Sequence, residues 1–219
     1  LLDLCRFSTN ESEDPISLSQ YLEKMPDTQK EIYYISAETS AQALASPHLE
    51  GFKSKNIPVL IMTDAIDQFW LPMVGSFKEK KFTSITQGKI NLDELDSKNK
   101  DKKNKSNDDK AKQDKEYVDL IAQLKVVLGD QVKDIRLSSK LTDSPVCLVA
   151  DEGDMDIAME QLMAQRDSNY KGAPRILEIN GDHSLIKNMK SLLSKKESND
   201  LVSDAGTPVS YTHLTLPTS

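Results

Sequence analysis

Residues 57–64, IPVLIMTD, form a near-continuous apolar run with turn chemistry on its amino-terminal side at Gly51 and Asn56. A strand with no polar alternation has no face to show to water, so this run predicts a parallel strand covered by helices on both sides. The flanking sequence agrees. EIYYIS (residues 31–36) is rich in β-formers, and Thr39 to Lys55 places Leu44, His48, Leu49 and Phe52 near one helical face. Ala65 to Phe77 predicts a further helix and FTSIT (residues 82–86) a third strand. The alternation is a βαβαβ unit, with right-handed crossovers over a mostly parallel sheet. Ahead of it, a Ser-initiated helix from Ser17 to Met25 is closed by Pro26-Asp27.

A βαβαβ unit invites a nucleotide site, but Gly51, Gly75 and Gly88 are isolated. Neither GxGxxG nor GxxxxGK[ST] is present, so no phosphate-cradling loop is expected. Thr63-Asp64 lies at a strand's carboxyl end, where α/β sheets place ligands, and an Asp there also caps a following helix; the cap is the expectation. Composition removes other classes. A net charge of -7 and a pI near 5.1 argue against nucleic acid, which needs a concentrated basic face. No apolar run approaches the roughly 18 residues needed to cross a bilayer, and no leader opens the chain, so a cytoplasmic protein without a membrane partner is expected. Cys5 and Cys147 lie far apart with no CxxC and no nearby His, so neither a disulfide framework nor a metal site is indicated, and Cys147 is expected to be a buried small hydrophobe.

The 219 residues suit two small domains. Residues 93–116 are dense in Lys, Asp and Asn with no apolar face, which predicts a charged linker or a solvated helix. Asp101, Asp108, Asp109 and Asp114 interrupt the lysines and would repel phosphate. Residues 117–204 then form a second unit. Tyr117, Leu120, Ile121, Leu124, Val127 and Leu128 share a helical stripe that Gly129 stops. A strand-turn-strand pattern, KDIRL and PVCLV, leads into the helix MDIAMEQLMAQ, then the strand RILEIN and a helix aligning Leu185, Ile186, Met189, Leu192 and Leu193. Asn180 or Asp182 would cap that last helix, and His183 in its first turn would cap or pack. The expected fold class is therefore α/β: a small mostly parallel βαβαβ domain over 1–92, then an α+β domain with helices on one face of a sheet. Leu1-Leu2-Asp3-Leu4 has the character of a helix begun upstream, and residues 205–219 have the texture of a non-native tail.

Met155, Met159, Leu162 and Met163 sit at i, i+4, i+7 and i+8, one stripe of a helix. Methionine is flexible and polarizable, which suits a surface that moulds itself to varied apolar partners; the competing assignment is a helix face packed into its own core. Two other functions are open on the residues alone. Asp64 and Asp67 could hold Mg²⁺ or act as acid and base in a small-molecule enzyme, and the methionine helix could serve as dimer glue.

Several segments in order carry a resemblance: SLSQYLEKM, QKEIYYISAE, SPHLE, IPVLIMTDAID, VKDIRLSSKLTDSPVCLV and the N-x-D-H of Asn180 to His183. Together, from about Phe7 to Leu193, they resemble the 90-kDa heat-shock chaperones in their bacterial high-temperature protein G branch. The resemblance implies an ATP-dependent chaperone, homodimeric as a whole, that binds partly folded client proteins. It also implies that this chain holds the end of the middle domain and most of the C-terminal domain, with the ATP and Mg²⁺ site and its γ-phosphate arginine upstream. On that basis no catalytic, cofactor-binding or metal residue is expected within the chain, and the dimer-forming final helices are not matched. Client contact is implied for Met155, Met159, Leu162 and Met163. A second client patch follows the TDxID motif, where the family's acid and aromatic correspond to Gln68 and Phe69, with Trp70 beside them.

Overall fold

A computed structural model describes residues 2–26, 28–88, 90, 92, 103–167, 170 and 172–194. Their described parts pack as two compact units, Leu1–Ser97 with Ala150–Gly172, and Lys98–Val149 with Ala173–Ser219. Both are mixed α/β, as the sequence pattern predicts.

The first unit is built on a five-stranded sheet: β1 (Ser8–Thr9), β2 (Ile32–Ser36), β3 (Leu60–Met62), β4 (Ser76–Phe77) and β5 (Lys80–Ser84), in the order β1-β3-β2-β5-β4. β2 pairs in parallel with β3 and β5, and only the two short outer strands run antiparallel. Successive side chains alternate between two cores. Tyr33, Ile35, Val59 and Ile61 face Ala43 of α2 (Ser40–Leu44) and Phe52 of α3 (Glu50–Ser54). Ile32, Leu60 and Met62 face Leu18 and Tyr21 of α1 (Leu18–Lys24) and Leu71 of α4 (Asp67–Val74). All three β3 residues are buried, because a central parallel strand is covered on both faces.

Local sequence sets the helix ends. Ser17 and Gln20 form a reciprocal capping box at the start of α1. The helix expected from Thr39 to Lys55 is instead two short helices joined by a 3-10 turn at Pro47–Leu49. The cause is Pro47, which holds Ser46 extended at ψ 132 and so bars continuous α geometry. Asp64 does not cap α4, since Ile66 occupies the cap position without a side-chain bond. Pro72, inside α4, lacks the N–H that the Gln68 carbonyl would accept, and the helix stops at Gly75, φ 68.

The second unit has three strands, β6 (Val132–Leu137), β7 (Val146–Val149) and β8 (Arg175–Ile179), in the order β6-β8-β7. β6 and β7 flank a turn in sequence but do not pair. β8 lies between them, parallel to β6 and antiparallel to β7. α5 (Lys103–Leu128) and α7 (Ser184–Ser194) pack on one face through Tyr117, Leu120, Leu124, Ile186 and Met189. Of the charged stretch, residues 93–102 lie outside the described residues, while 103–116 form the first half of α5. Gly129, φ 51, ends that helix.

On the sheet's other face, Cys147 is buried beside Leu141, Val149 and Ile176. There the buried Glu178 carboxylate accepts from Arg136 Nε (3.2 Å) and Nη2 (2.8 Å) and from Ser138 Oγ (2.9 Å). A desolvated carboxylate needs such saturation. Lys140 is buried nearby; desolvation depresses its ammonium pKa, and the Glu178 charge partly restores it.

The N-x-D-H segment is a structural latch. Asn180 donates through Nδ2 to the carbonyls of Thr142 (3.3 Å) and Ser144 (3.1 Å), and its Oδ1 accepts Asp182 N–H. Tyr117 O–H donates to Gly181 O at 2.6 Å, an approach that leaves an added Cβ at Gly181 only 3.2 Å from the ring. His183 Nδ1 accepts Leu185 N–H at the start of α7, so the cap falls to His183. No helix among the described residues is long and apolar enough to cross a membrane.

Tyr21 is the polar knot of the first unit. Its O–H donates to Pro58 O (2.6 Å) and accepts from Gln29 Nε2 (2.9 Å) and Tyr33 N (3.2 Å). Burial pushes the phenol pKa well above its ordinary value. Tyr21→Phe strands those partners and is expected to cost about 2 kcal/mol. Urea unfolding followed by fluorescence of the single tryptophan, Trp70, which packs against the same core, checks this.

Candidate functional site: a cleft beneath an exposed methionine helix

Because β2 and β3 are parallel, their carboxyl ends lie side by side, and the loops that follow (Ala37-Glu38 and Thr63-Asp64-Ala65) meet. This is the edge where open α/β sheets form ligand crevices. A cleft of about 260 Å³ opens there, walled on one side by these loops and Gln68 of α4 and on the other by α6 (Ile157–Arg166). Although α6 lies between β7 and β8 in sequence, it belongs to the first unit.

Both ends of α6 are pinned. Asp156 caps it, with Oδ1 accepting Ala158 N–H at 2.9 Å, while Asp156 Oδ2 accepts from Thr86 Oγ1 at 2.8 Å. With the single Thr86 proton so used, Ser84 is the donor in the 2.9 Å Ser84–Thr86 contact. Ala150 N–H donates to Thr86 O (3.0 Å), and Gly88 N–H donates to Ala150 O (2.9 Å). Tyr34 lies near this cap; burial, aided by the Asp156 charge, pushes its phenol pKa up. At the far end Gln165 Nε2 donates to Glu38 Oε1 at 3.2 Å.

The helix is shorter than its sequence pattern, so Met155 precedes the cap instead of sitting on the helix. None of the ten helical residues is buried. Ala158, Gln161, Leu162 and Gln165 line the cleft. Met159 and Met163 each follow a cleft-lining residue by about 100° around the axis and so form the adjoining flank. Met155 and Met163 are each 41% exposed, and Met159 and Leu162 are half-buried. The four residues of the predicted stripe are thus divided: Leu162 lines the cleft, Met159 and Met163 form its flank, and Met155 lies before the cap.

The residues after TDxID diverge more. Gln68 is buried and lines the cleft, and Phe69 is 41% exposed. Trp70 packs inward, with ring centroids 6.2 Å from Phe7 and 5.6 Å from Phe82. Ile66 and Met73 are also exposed; with Phe69 they stand at i, i+3 and i+7, a helical spacing visible in the sequence. Asp64 and Asp67 are neighbours, with Asp67 N–H donating to Asp64 O at 3.0 Å, but their side chains differ in setting. Asp64 is exposed at the cleft, whereas Asp67 is buried with Oδ1 accepting Trp70 Nε1–H at 2.7 Å. Among the described residues, no three His, Cys, Asp or Glu side chains cluster as metal ligands would.

The Hsp90 protein family profile matches residues 1–214. The chain belongs to the Hsp90 family. The match overlaps most of segment 205–219, which lies outside the described residues. Among curated Hsp90-family relatives, "Chaperone protein HtpG" of Roseobacter denitrificans is 41% identical over 94% of this chain and 33% of its own length. The proteins of that name from Wolbachia pipientis (37% identity, 93% of this chain, 32% of its own) and Streptomyces coelicolor (38%, 86% and 29%) are similar. The chain therefore spans about a third of the length of the curated relatives it matches.

Burial raises the Asp67 carboxyl pKa above its ordinary value, against the pull of the Trp70 bond. Its stabilising share is complete below the unfolded value of 3.8 and is lost as pH rises through the folded value. Asp67→Asn, which keeps an acceptor for the indole, is expected to melt higher than the parent chain at pH 7, with a margin that shrinks as pH falls toward 3.8. Melting curves across that range check it.

Proposed function

We propose that this chain is the client-holding portion of an ATP-dependent molecular chaperone of the Hsp90 family. In this reading 1–92 is the end of the middle domain and 117–204 most of the C-terminal domain. ATP and Mg²⁺ chemistry, and the homodimer contacts of the whole cytoplasmic protein, reside in parts of the longer protein outside this chain. The residues here do not suit a nucleotide-metal site: Asp67 is buried with its Oδ1 accepting the Trp70 indole N–H, and among the described residues no three His, Cys, Asp or Glu side chains cluster.

One observation carries the proposal. α6 is anchored at both ends, yet Met163 on its flank beside the cleft and Met155 just before its cap are each 41% exposed. A side chain held in place and 41% exposed retains that share of its apolar transfer energy for a partner, roughly 0.6–1.2 kcal/mol for each Met then covered. Thioethers accept many shapes, so a surface of this kind holds unfolded segments with little sequence preference. The exposed Ile66, Phe69 and Met73 of the α4 region extend the apolar area available in the same unit. In the whole protein, ATP-driven rearrangement would change the separation of such patches and so hold and release a client.

Met155→Asp combined with Met163→Asp is expected to weaken capture of an aggregating client by about tenfold or more, given two lost apolar contacts. Light scattering of reduced insulin B chain in the presence of the chain measures this, with circular dichroism confirming an unchanged fold. Undiminished suppression by the folded double variant rules the proposal out.

A further inference from the structure

We propose that Asn180-Gly181 is a deamidation site that folding holds shut and unfolding opens, so that a chain which has lost its second unit acquires a mark that hinders the unit from re-forming.

Asn180-Gly181 is the one Asn-Gly pair in the sequence. Glycine lacks a Cβ, so its amide nitrogen meets the least hindrance in approaching the side chain of the residue before it. The Gly181 nitrogen, giving its proton to solvent, bonds to the Asn180 side-chain carbonyl carbon. The bond from that carbon to Nδ2 then breaks, and ammonia leaves. Water opens the resulting cyclic imide at either carbonyl, which yields aspartate or isoaspartate at the position. The net change is an NH2 exchanged for an OH, with water as the sole co-reactant and no change of oxidation state.

The native fold opposes these steps. Asn180 is 4% exposed and Gly181 is buried, so neither solvent base nor water reaches the pair freely. The carboxamide is held at three points: Nδ2 donates to Thr142 O and Ser144 O, and Oδ1 accepts Asp182 N–H. Attack by the Gly181 nitrogen makes the planar carboxamide tetrahedral and expels the very nitrogen that donates both bonds. Packing accounts for the glycine. Tyr117 O–H donates to Gly181 O at 2.6 Å, and a Cβ at Gly181 would stand 3.2 Å from Tyr117 Cε2 and 3.3 Å from Leu137 Cδ2. The product, however, lacks what the latch uses. An ionised carboxylate has no proton to give, so it would face two carbonyls, acceptor against acceptor, in a site shielded from water. Asp182, two residues on, adds like charge. Isoaspartate also lengthens the main chain by a carbon, which displaces Gly181 from the Tyr117 hydroxyl.

The test incubates the unaltered 219-residue chain in mildly alkaline buffer and, in parallel, in guanidinium chloride at the same pH. The tryptic peptide 176–187, which contains the pair, is then followed by chromatography and mass spectrometry, which separate its Asn, Asp and isoAsp forms. The denatured sample is expected to accumulate product about tenfold faster or more, because in the folded sample only transiently opened molecules react. Asn180→Asp, which carries one product from the outset, is expected to melt well below the parent chain. Equal rates in the two samples, no product at Asn180 in guanidinium, or an Asn180→Asp chain as stable as the parent each overturns the inference. Failure of that variant to fold is the same loss carried further, and the two rates, measured on the unaltered chain, decide the chemistry without it.

Discussion

The parallel pairing of β2 with β3 and β5 is the constraint from which the first unit follows. Parallel neighbours need crossovers, and the crossovers here cover the two faces of the sheet with helices. Two cores result, fed alternately by successive residues of each strand. Pairing in the same direction also brings the carboxyl ends of β2 and β3 together, and the cleft opens at that edge. Its position is therefore a property of topology. Its character comes from the residues set there, including a buried glutamine and a helix pinned at both ends.

The second unit relies more on polar specificity. A three-stranded sheet with helices on one face has a small core, and its opposite face carries a buried carboxylate saturated by Arg136 and Ser138. Such groups seldom add net stability, but they penalise every register except the one that pairs them. Asn180 works similarly with neutral groups, fastening the 142–144 turn to the end of β8. The N-x-D-H segment thus contributes to this fold as a clasp and helix start.

Legibility in the sequence followed the reach of the interactions. Features set by neighbours along the chain were plain: the Ser17 cap, the Gly129 stop, the alternating βαβαβ pattern and the buried β3. Features set by distant contacts were not. The KDIRL and PVCLV segments look like hairpin arms, yet β8, some 25 residues further on, inserts between them. Met155 fits the helical period of α6, whereas Asp156 is better used as a cap that also engages Thr86, and the helix starts after it. Asp64 seemed the natural cap of α4, but the chain turns once more before the helix begins. The division of the methionine stripe between cleft and shoulder, and the inward turn of Trp70, depend on which surfaces meet in space. Periodicity reports that a face exists and leaves its neighbour unspecified.

The excursion Ala150–Gly172 leaves β7, contributes α6 to the first unit, and returns to β8, which is the antiparallel neighbour of β7. It is therefore a hairpin connection whose loop is folded elsewhere, so the entropy of closing that loop is offset by bonds such as Thr86–Asp156. Neither unit, moreover, can be excised as one contiguous stretch of gene: a cut before Ala150 deprives one half of its cleft wall and the other of two of its three strands.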